Sequence, residues 1–580
     1  MSDLPISTPT FYGRGAQLEE IYSALDPSKS GRKGILLFGI GGSGKTQLAL
    51  QYIKKQKQLY KAVMWINAFT SEQITESFTD AFCLISKSWP AKDLPNPYTG
   101  ENKLAFVLSR LRSTLYRNWL LVIDSADDLD NHNLVQLIPD SSHGSIIVTS
   151  TRRDASDVLE QHGFSSIEID KLDDHSGKEL LLGRAGMPSS SQNSTRATAI
   201  VKELNGLPLA LEQAGILLRR KVVNLDNFIE EYHVQYNTLM EHTPKAGEVQ
   251  HDKTRSMYTI LSMLYSFVKH QSRTAAAILR LLAIIGPTQV PISILLGISR
   301  FNSPVLNADP EFRSLQDSSN ADSMFRLRLN LLEDMCLIKR RPVSEKSPEL
   351  VSLHRAICQW VVKAPTERKD EWILFTALGL GSVLCEGDVN LDWPMCGANP
   401  DSYLSRICLS WVDRIDSLIQ ATVDSTSLQA PGGPYATEFA NIAYYFGCIY
   451  FCNSRYKEAM TFLSHTLAYT PFQPASEGLI MYSTLQLYYC LGICYYKMGD
   501  FDLAENFLRE ASNIPPRNES DTSIIRRKLK EVLRRGRIHQ EHYETAVNAA
   551  HGPKFSSAIQ DNMSQHSDTM NDETGGKYLT

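Results

Sequence analysis

No stretch of this sequence is apolar for long enough to cross a bilayer. The longest greasy run, Ala275 to Gly286 (AAAILRLLAIIG), falls well short of the ~20 residues a spanning helix needs, and it carries Arg280. The N-terminal text, MSDLPISTPTFYGR, has no apolar core of signal-peptide length. These two absences lead to the expectation of a cytoplasmic protein with no membrane partner. Its ten cysteines are then expected as reduced thiols. The Asn193-Ser194-Thr195 sequon carries no meaning in a cytosolic loop. Excess charge is also scarce. A net charge of −5 over 580 residues argues against a nucleic-acid-coating protein, although a local basic patch stays open. What remains is ordinary globular composition, 43% apolar and 21% charged, in a chain too long for one core. Length alone suggests about three to five domains.

The chain is organised around Gly39-Ile40-Gly41-Gly42-Ser43-Gly44-Lys45-Thr46, which fits G-x-x-x-x-G-K-[ST], the phosphate-binding P-loop. Gly34 to Phe38 (GILLF) is an apolar run of strand length, and QLALQYIKKQ after Thr46 reads as an amphipathic helix. The glycines let the backbone wrap an anion, and the helix start offers it unpaired N–H groups. Lys45 is expected to reach the β/γ-phosphates and the Thr46 hydroxyl to hold Mg²⁺.

Further strands are expected at Ala62–Asn67 (AVMWIN), Trp119–Asp124 (WLLVID), Ser145–Ser150 (SIIVTS) and Ser166–Asp170 (SIEID). Helical patterns lie near Glu72–Lys87 and Lys103–Arg117. Alternation of this kind means an α/β doubly wound parallel sheet, with its ligand at the carboxyl ends of the strands. Trp119–Asp124 has the form of an apolar strand ending in the second P-loop acid, so Asp124 is expected to hold Mg²⁺ directly or through water. Ser125 follows it. Many such ATPases place a second acid there to polarise water, and serine cannot act as that base. Asp127 and Asp128 lie close in sequence but are free to point elsewhere. Arg152 and Arg153 end the SIIVTS strand, where a cation could touch a γ-phosphate; a solvated loop pair is the other reading. From about Asp173 the text becomes helical, through a Ser/Thr-rich loop (MPSSSQNST) to Gly206-Leu207-Pro208-Leu209-Ala210-Leu211, a helix start with proline in its first turn.

The order Phe11-Tyr12-Gly13-Arg14, GIGGSGKT, WLLVID, IIVTSTR, GLPLAL resembles the NB-ARC ATPase module of STAND-class signalling proteins, which include plant and fungal NOD-like immune receptors and animal apoptosome scaffolds. The resemblance covers about 200 residues and implies ADP/ATP and Mg²⁺ as ligands. Gly13 and Arg14 would lie by the adenosine. Gly39, Gly41, Gly42, Ser43, Gly44, Lys45 and Thr46 would form the phosphate loop, with Thr46 and Asp124 at Mg²⁺. Arg152 is the first choice for the γ-phosphate cation, with Arg153 open because Thr151 intervenes. Lys45, Asp124 and Arg152 would make up the catalytic set, and Pro208 would pack on base or ribose. The family continues with a winged-helix domain, for which a buried helix at Ala275–Ile285, a segment from Val290 and the helix-to-strand text LLEDMCLIKRR are candidates. Val351-Ser352-Leu353-His354-Arg355 falls where the family has Met-His-Asp. By that match His354 would touch the β-phosphate of ADP, or else be a satisfied core histidine; Leu353 and Arg355 depart from the pattern.

Near the C-terminus the chain repeats. Gly447, Tyr450, Ala459, Leu463 and Pro471 align with Gly492, Tyr495, Ala504, Leu508 and Pro516. The spacing resembles the tetratricopeptide (TPR) repeat, with an offset longer than the usual ~34 residues. It implies either a concave protein-binding surface or simple packing. Cys448/Cys452 and Cys490/Cys494 tempt a zinc reading, but they fall inside helical repeats where small apolar residues pack. Ile524–Ile538 is basic, with Ile525, Leu529 and Val532 on one face. It reads as a cap on the repeats with a solvated basic face, or as a nuclear-localisation segment over 526–537.

The expected organisation is a flexible N-terminus 1–10, a P-loop domain 11–172, a helical domain 173–250, a winged helix 251–365, a helical connector 366–435, TPR-like repeats 436–517, a basic helical segment 518–550 and a disordered tail 551–580. The expected function is an ADP/ATP switch whose ATP state is competent to form a homo-oligomer, with protein partners on the repeats and slow hydrolysis at most. A continuously turning-over ATPase and an adaptor with a vestigial site are the alternatives. No effector domain is read ahead of Phe11, so output is expected through a partner or through the C-terminal half. The resemblance points to filamentous fungi.

Overall fold

The computed structural model describes residues 4–5, 7, 10–28, 33–86, 100–114, 116–128, 134–242, 252–301, 310–319, 322–341, 349–363, 368–386, 403–422, 436–469, 479–514 and 523–538. They divide into two compact units, one reaching to Glu438 and one from Phe439 onward. Among them no helix is long and apolar enough to cross a membrane.

The first unit is built on five parallel strands, β1 (Lys33–Phe38), β2 (Ala62–Asn67), β3 (Trp119–Asp124), β4 (Ser145–Ser150) and β5 (Ser165–Glu168), in the order β2-β3-β4-β1-β5. Their side chains alternate between two cores because successive residues point to opposite faces. Leu36, Met64, Ile66, Leu121, Ile123, Ile146 and Val148 meet Phe78, Phe82, Val107 and Leu111 from the helices Ser71–Ser86 and Gly100–Arg112. Ile35, Leu37, Val63, Trp65, Leu120, Val122 and Ile147 meet Leu18, Ile21, Leu48 and Ile53 from the helices Gly15–Ala24 and Lys45–Gln56. Burial on both faces explains why β1 to β4 read as continuous apolar runs, whereas the edge strand β5 buries only Ile167.

Helices follow the sheet. The expected loop MPSSSQNST is only partly loop. Ser190 accepts a hydrogen bond from the Asn193 N–H and caps the helix Ser191–Glu203, which the polar composition had hidden. Pro208 stands at the first position of the helix Pro208–Arg219. The helix Arg273–Ile285 is buried from Thr274 to its end, and its Arg280 is matched by Glu311 and the Tyr265 hydroxyl and lies over Trp372. Beside it, β6 (Gln289–Pro291), β7 (Ile338–Arg341) and β8 (Leu350–Leu353) form an antiparallel sheet of order β6-β8-β7. The chain leaves β8 through His354 into the helix Arg355–Lys363. The helices Lys369–Glu386 and Tyr403–Thr422 complete this unit, the latter through Arg414, which donates to the carbonyls of Ala283 and Ile284.

The second unit holds two helical hairpins made to one plan: Ala436–Cys452 with Tyr456–Tyr469, and Leu479–Met498 with Phe501–Asn513. A Cβ at Gly447 would stand 2.6 Å from Leu463, and one at Gly492 would stand 2.7 Å from Leu508. Tyr450 stacks on Phe462 and Tyr495 on Phe507. Pro471 and Pro516 lie outside the described residues. A helix over residues 523–538 buries Ile525 and Val532 in this unit, with its arginines largely exposed. Burial raises the thiol pKa values of Cys452, Cys490 and Cys494, and among the described residues no cluster of three or more metal-ligating side chains occurs.

One glycine sets the exit of β1. Gly39 has φ +141°, and a Cβ there would collide with the backbone oxygen of Ile169 beyond β5. Gly39→Ala is expected to lose about 1–3 kcal/mol in urea unfolding, because two backbones must part. Gly41→Ala is the control: a Cβ there meets nothing within 4 Å, and its cost should stay within about 0.5 kcal/mol.

Candidate nucleotide-binding site

The carboxyl ends of β1, β3 and β4 converge on one cavity of about 730 Å³. Ile40 to Gln47 line one wall. Gly42 and Gly44, at φ +82° and +96°, turn the loop into the helix that starts at Lys45. Lys45 Nζ donates to the carbonyls of Gly39 (2.6 Å) and Ile40 (2.9 Å) and so curls over the loop it belongs to. Burial lowers its pKa to about 8, against the attraction of Asp127 and Asp124. Ser43 Oγ is buried with no hydrogen-bond partner, an unusual state for a hydroxyl unless a ligand completes it.

Asp124 sits beneath the loop. Thr46 Oγ1 donates to its carboxylate at 2.9 Å and Thr149 Oγ1 at 2.6 Å. Desolvation raises its pKa while these hydroxyls and Lys45 oppose the rise. The following residue, Ser125, takes a left-handed conformation (φ +64°) and donates its N–H to Thr149 Oγ1. That turn delivers Asp127 into the cavity lining, an outcome the spacing alone left open. Asp128 is not among the lining residues. Asp127 accepts from Ser150 Oγ and the Thr151 N–H and ion-pairs with Arg355. Burial would raise its pKa, but Arg355 and the Thr151 bonds together hold it below the ordinary carboxylate value.

Gly13 and Arg14 are both left-handed (φ +64° and +65°), which swings the Arg14 side chain across to donate to the Ser43 and Asp170 carbonyls. Burial lowers its pKa, against Asp170 and Asp173. Ser7, Thr10, Phe11 and Tyr12 edge the same cavity, and Leu4 just ahead of them accepts a hydrogen bond from Arg341 of β7 at 2.7 Å. Leu172, Leu180, Pro208, Leu209 and Met257 form the apolar side, and the Leu209 N–H reaches the Gly42 carbonyl.

His354 and Arg355 close the cavity from the β8 side. The His354 ring is open to the cavity yet enclosed by protein around it. That desolvation, with Lys339, Lys45 and Arg355 nearby, lowers its pKa to about 4, so it is neutral at pH 7. Its Nδ1 accepts the Ala356 N–H at 3.1 Å, which leaves the ring proton on Nε2.

Nine of the thirteen site residues expected from the sequence therefore line one cavity: Arg14, Gly41, Gly42, Ser43, Gly44, Lys45, Thr46, Pro208 and His354. Asp124 lies directly behind Thr46, and Gly13 and Gly39 shape the backbone. Arg152 is not brought to the lining. Its guanidinium is taken by Asp154, two residues on, in a bidentate pair on the exposed side. The lining arginine near Lys45 is Arg355, which sequence reading passed over as a departure from a pattern. The donor set and the cavity fit a nucleoside di- or triphosphate, with Thr46 and Asp124 suited to Mg²⁺.

Comparison with known proteins finds relatives for the P-loop part of the chain. The family described as an AAA ATPase domain matches residues 10–140. A nucleotide-binding leucine-rich repeat (NLR)-like protein of Hyaloscypha variabilis is 26% identical over 240 residues, 38% of this chain and 23% of that protein. A probable disease resistance protein of Arabidopsis thaliana is 27% identical over 269 residues, 44% of this chain and 34% of that one. The match thus spans about a quarter to a third of these curated relatives. Among solved structures, a Walker-type ATPase of Pyrococcus abyssi aligns with a TM-score of 0.30 and 13% identity, over 62% of this chain and 99% of that one.

Lys45 must be charged to hold phosphate, and its pKa without a ligand is about 8. Phosphate would raise that pKa, so binding takes up a proton above pH 8. Affinity for ADP should fall as pH rises from 8, by up to about tenfold per unit. Titration calorimetry at pH 8.5 in two buffers of different ionisation heat should show the uptake, and Lys45→Arg should abolish it. Loop, strand acid and relatives point the same way: the nucleotide-binding part of this chain is built as a P-loop ATPase and is similar to those of the NB-ARC/NOD-like type.

Proposed function

We propose that the chain is an ADP/ATP-operated switch of the STAND kind. One observation carries this reading: His354, from the segment after the antiparallel β8, lines the same cavity as the P-loop more than 300 residues earlier. Whatever sits on the loop is therefore read by two separate pieces of fold. The neutral His354 Nε2–H is a donor suited to the β-phosphate of ADP, which would hold the P-loop domain and the β6–β8 segment closed. Gly13, Arg14 and Pro208 would border the nucleoside, and Lys45 and Ser43 would donate to phosphate. Thr46 and Asp124 would hold Mg²⁺, which neutralises phosphate charge when bound.

ATP would favour an open form that joins further copies of the chain. A switch works through different contacts in its two states, so fast turnover is not required of it. The absence of an acid at Ser125 supports slow hydrolysis. The β6–β8 segment with its helices would be the winged-helix domain. The two hairpins would be tetratricopeptide-like repeats for protein partners, in a cytoplasmic signalling chain of the immune-receptor type. The basic helix over 523–538 is best read as a cap on these repeats.

The test uses the purified full chain. The bound nucleotide is released and identified, and turnover and mass are followed with added ATP. Retained ADP, slow turnover and ATP-dependent growth in mass are expected. Sustained turnover at constant mass would identify a continuously working ATPase, and no binding at all would identify an adaptor. His354→Ala should weaken ADP by about tenfold, the size of one hydrogen bond to a charged group.

A further inference from the structure

Asp127 and Arg355 are 228 residues apart in sequence and ion-paired in the cavity. Neither was assigned this pairing by the motif pattern. We propose that Arg355 is the residue by which this chain tells a nucleoside triphosphate from a diphosphate: its guanidinium leaves Asp127 and takes the terminal phosphate. This rests on the reading that the cavity holds ADP or ATP.

Four observations support the assignment. First, the other lining arginines are engaged. Arg14 donates to the Ser43 and Asp170 carbonyls, Arg184 pairs with Glu212 and Arg340 with Glu333. Arg152, at the end of β4, is taken by Asp154. Second, the charge of Arg355 is felt at Lys45, which places it toward the phosphate end of the cavity. Third, the guanidinium has donor capacity in hand. It lies over the Phe69 ring at 4.2 Å, and its buried Nε has no hydrogen-bond partner. A planar fork with unused donors suits phosphate better than one carboxylate oxygen does. Fourth, Asp127 is not orphaned when the arginine leaves, because Ser150 Oγ and the Thr151 N–H still donate to it. Asp127 then keeps hydrogen bonds but gives up its counter-charge, a cost that the gain of the guanidinium on the terminal phosphate must outweigh.

The consequence is mechanical. Arg355 opens the helix Arg355–Lys363 and follows His354 directly. A diphosphate leaves the Asp127 tie in place and the segment docked. A third phosphate competes for the same guanidinium and loosens the tie between that helix and the turn after β3.

The experiment measures the affinities of the full chain for ADP and for the non-hydrolysable imido analogue of ATP, both with Mg²⁺. Arg355→Ala should weaken the ATP analogue by about tenfold and move ADP less than about twofold, a coupling of ordinary allosteric size. Asp127→Asn keeps the shape of the site and removes the competitor, so it should shift preference toward the ATP analogue by about five- to tenfold. Arg355→Lys, a point charge without the fork, should fall between wild type and Arg355→Ala. The double variant should match Arg355→Ala. If Arg355→Ala does not fold, Asp127→Asn and Arg355→Lys decide the matter. A ratio of the two affinities untouched by these variants, in a chain that binds both nucleotides, overturns this proposal alone. A wild-type chain that binds neither overturns the reading of the cavity and this proposal with it.

Discussion

The buried carboxylate of Asp124 holds the phosphate end of this protein together. It receives one hydroxyl from the helix that follows the P-loop and another from the neighbouring strand β4. An unpaired carboxylate in that position would be costly, so its two donors are fixed as firmly as it is. Through Thr46 it sets the start of the helix Lys45–Gln56, and through Thr149 it sets the turn at Ser125. Asp127, Arg355 and the closing segment after β8 follow from that turn. The first link is local and the last lies in another part of the fold.

The cavity's charges are matched within the protein. Lys45 rests on two carbonyls of its own loop, Arg14 on two others, and Arg355 on Asp127. These are weaker partners than a polyphosphate, and each can be exchanged for one. Burial makes the exchange more favourable, since the partly desolvated ammonium of Lys45 is better matched by an anion than by two carbonyls. The site is preorganised in position while its bonds remain available to a ligand.

Much of this was legible in the sequence, because the signals were strong where burial was strong. The strands β1 to β4 are apolar runs buried on both faces, the edge strand β5 buries only Ile167, and all five were placed within one or two residues. The P-loop and Asp124 carry their chemistry in short contiguous text. What was not legible depended on backbone turns and distant pairing. The left-handed Ser125 has no composition that announces it, yet it decides where Asp127 points. Arg152 sits in the expected place in sequence, but Asp154 two residues later offers a nearer partner than any phosphate. Arg355 carried a signal of a kind. It is a cation directly after the histidine that lines the cavity. The Ser190 cap was hidden in text that reads as loop.

The N-terminal strap bears on how this chain is joined to others. Leu4 is tied to β7 by Arg341, and Ser7, Thr10, Phe11 and Tyr12 then run along the cavity edge into the left-handed pair at Gly13 and Arg14. The strap thus bridges the β6–β8 sheet and the P-loop, the two parts that would separate if the cavity opened. Anything fused ahead of Leu4 joins the chain beside that cleft. A tag, a tether or a folded neighbour placed there would act as a lever on the closure itself.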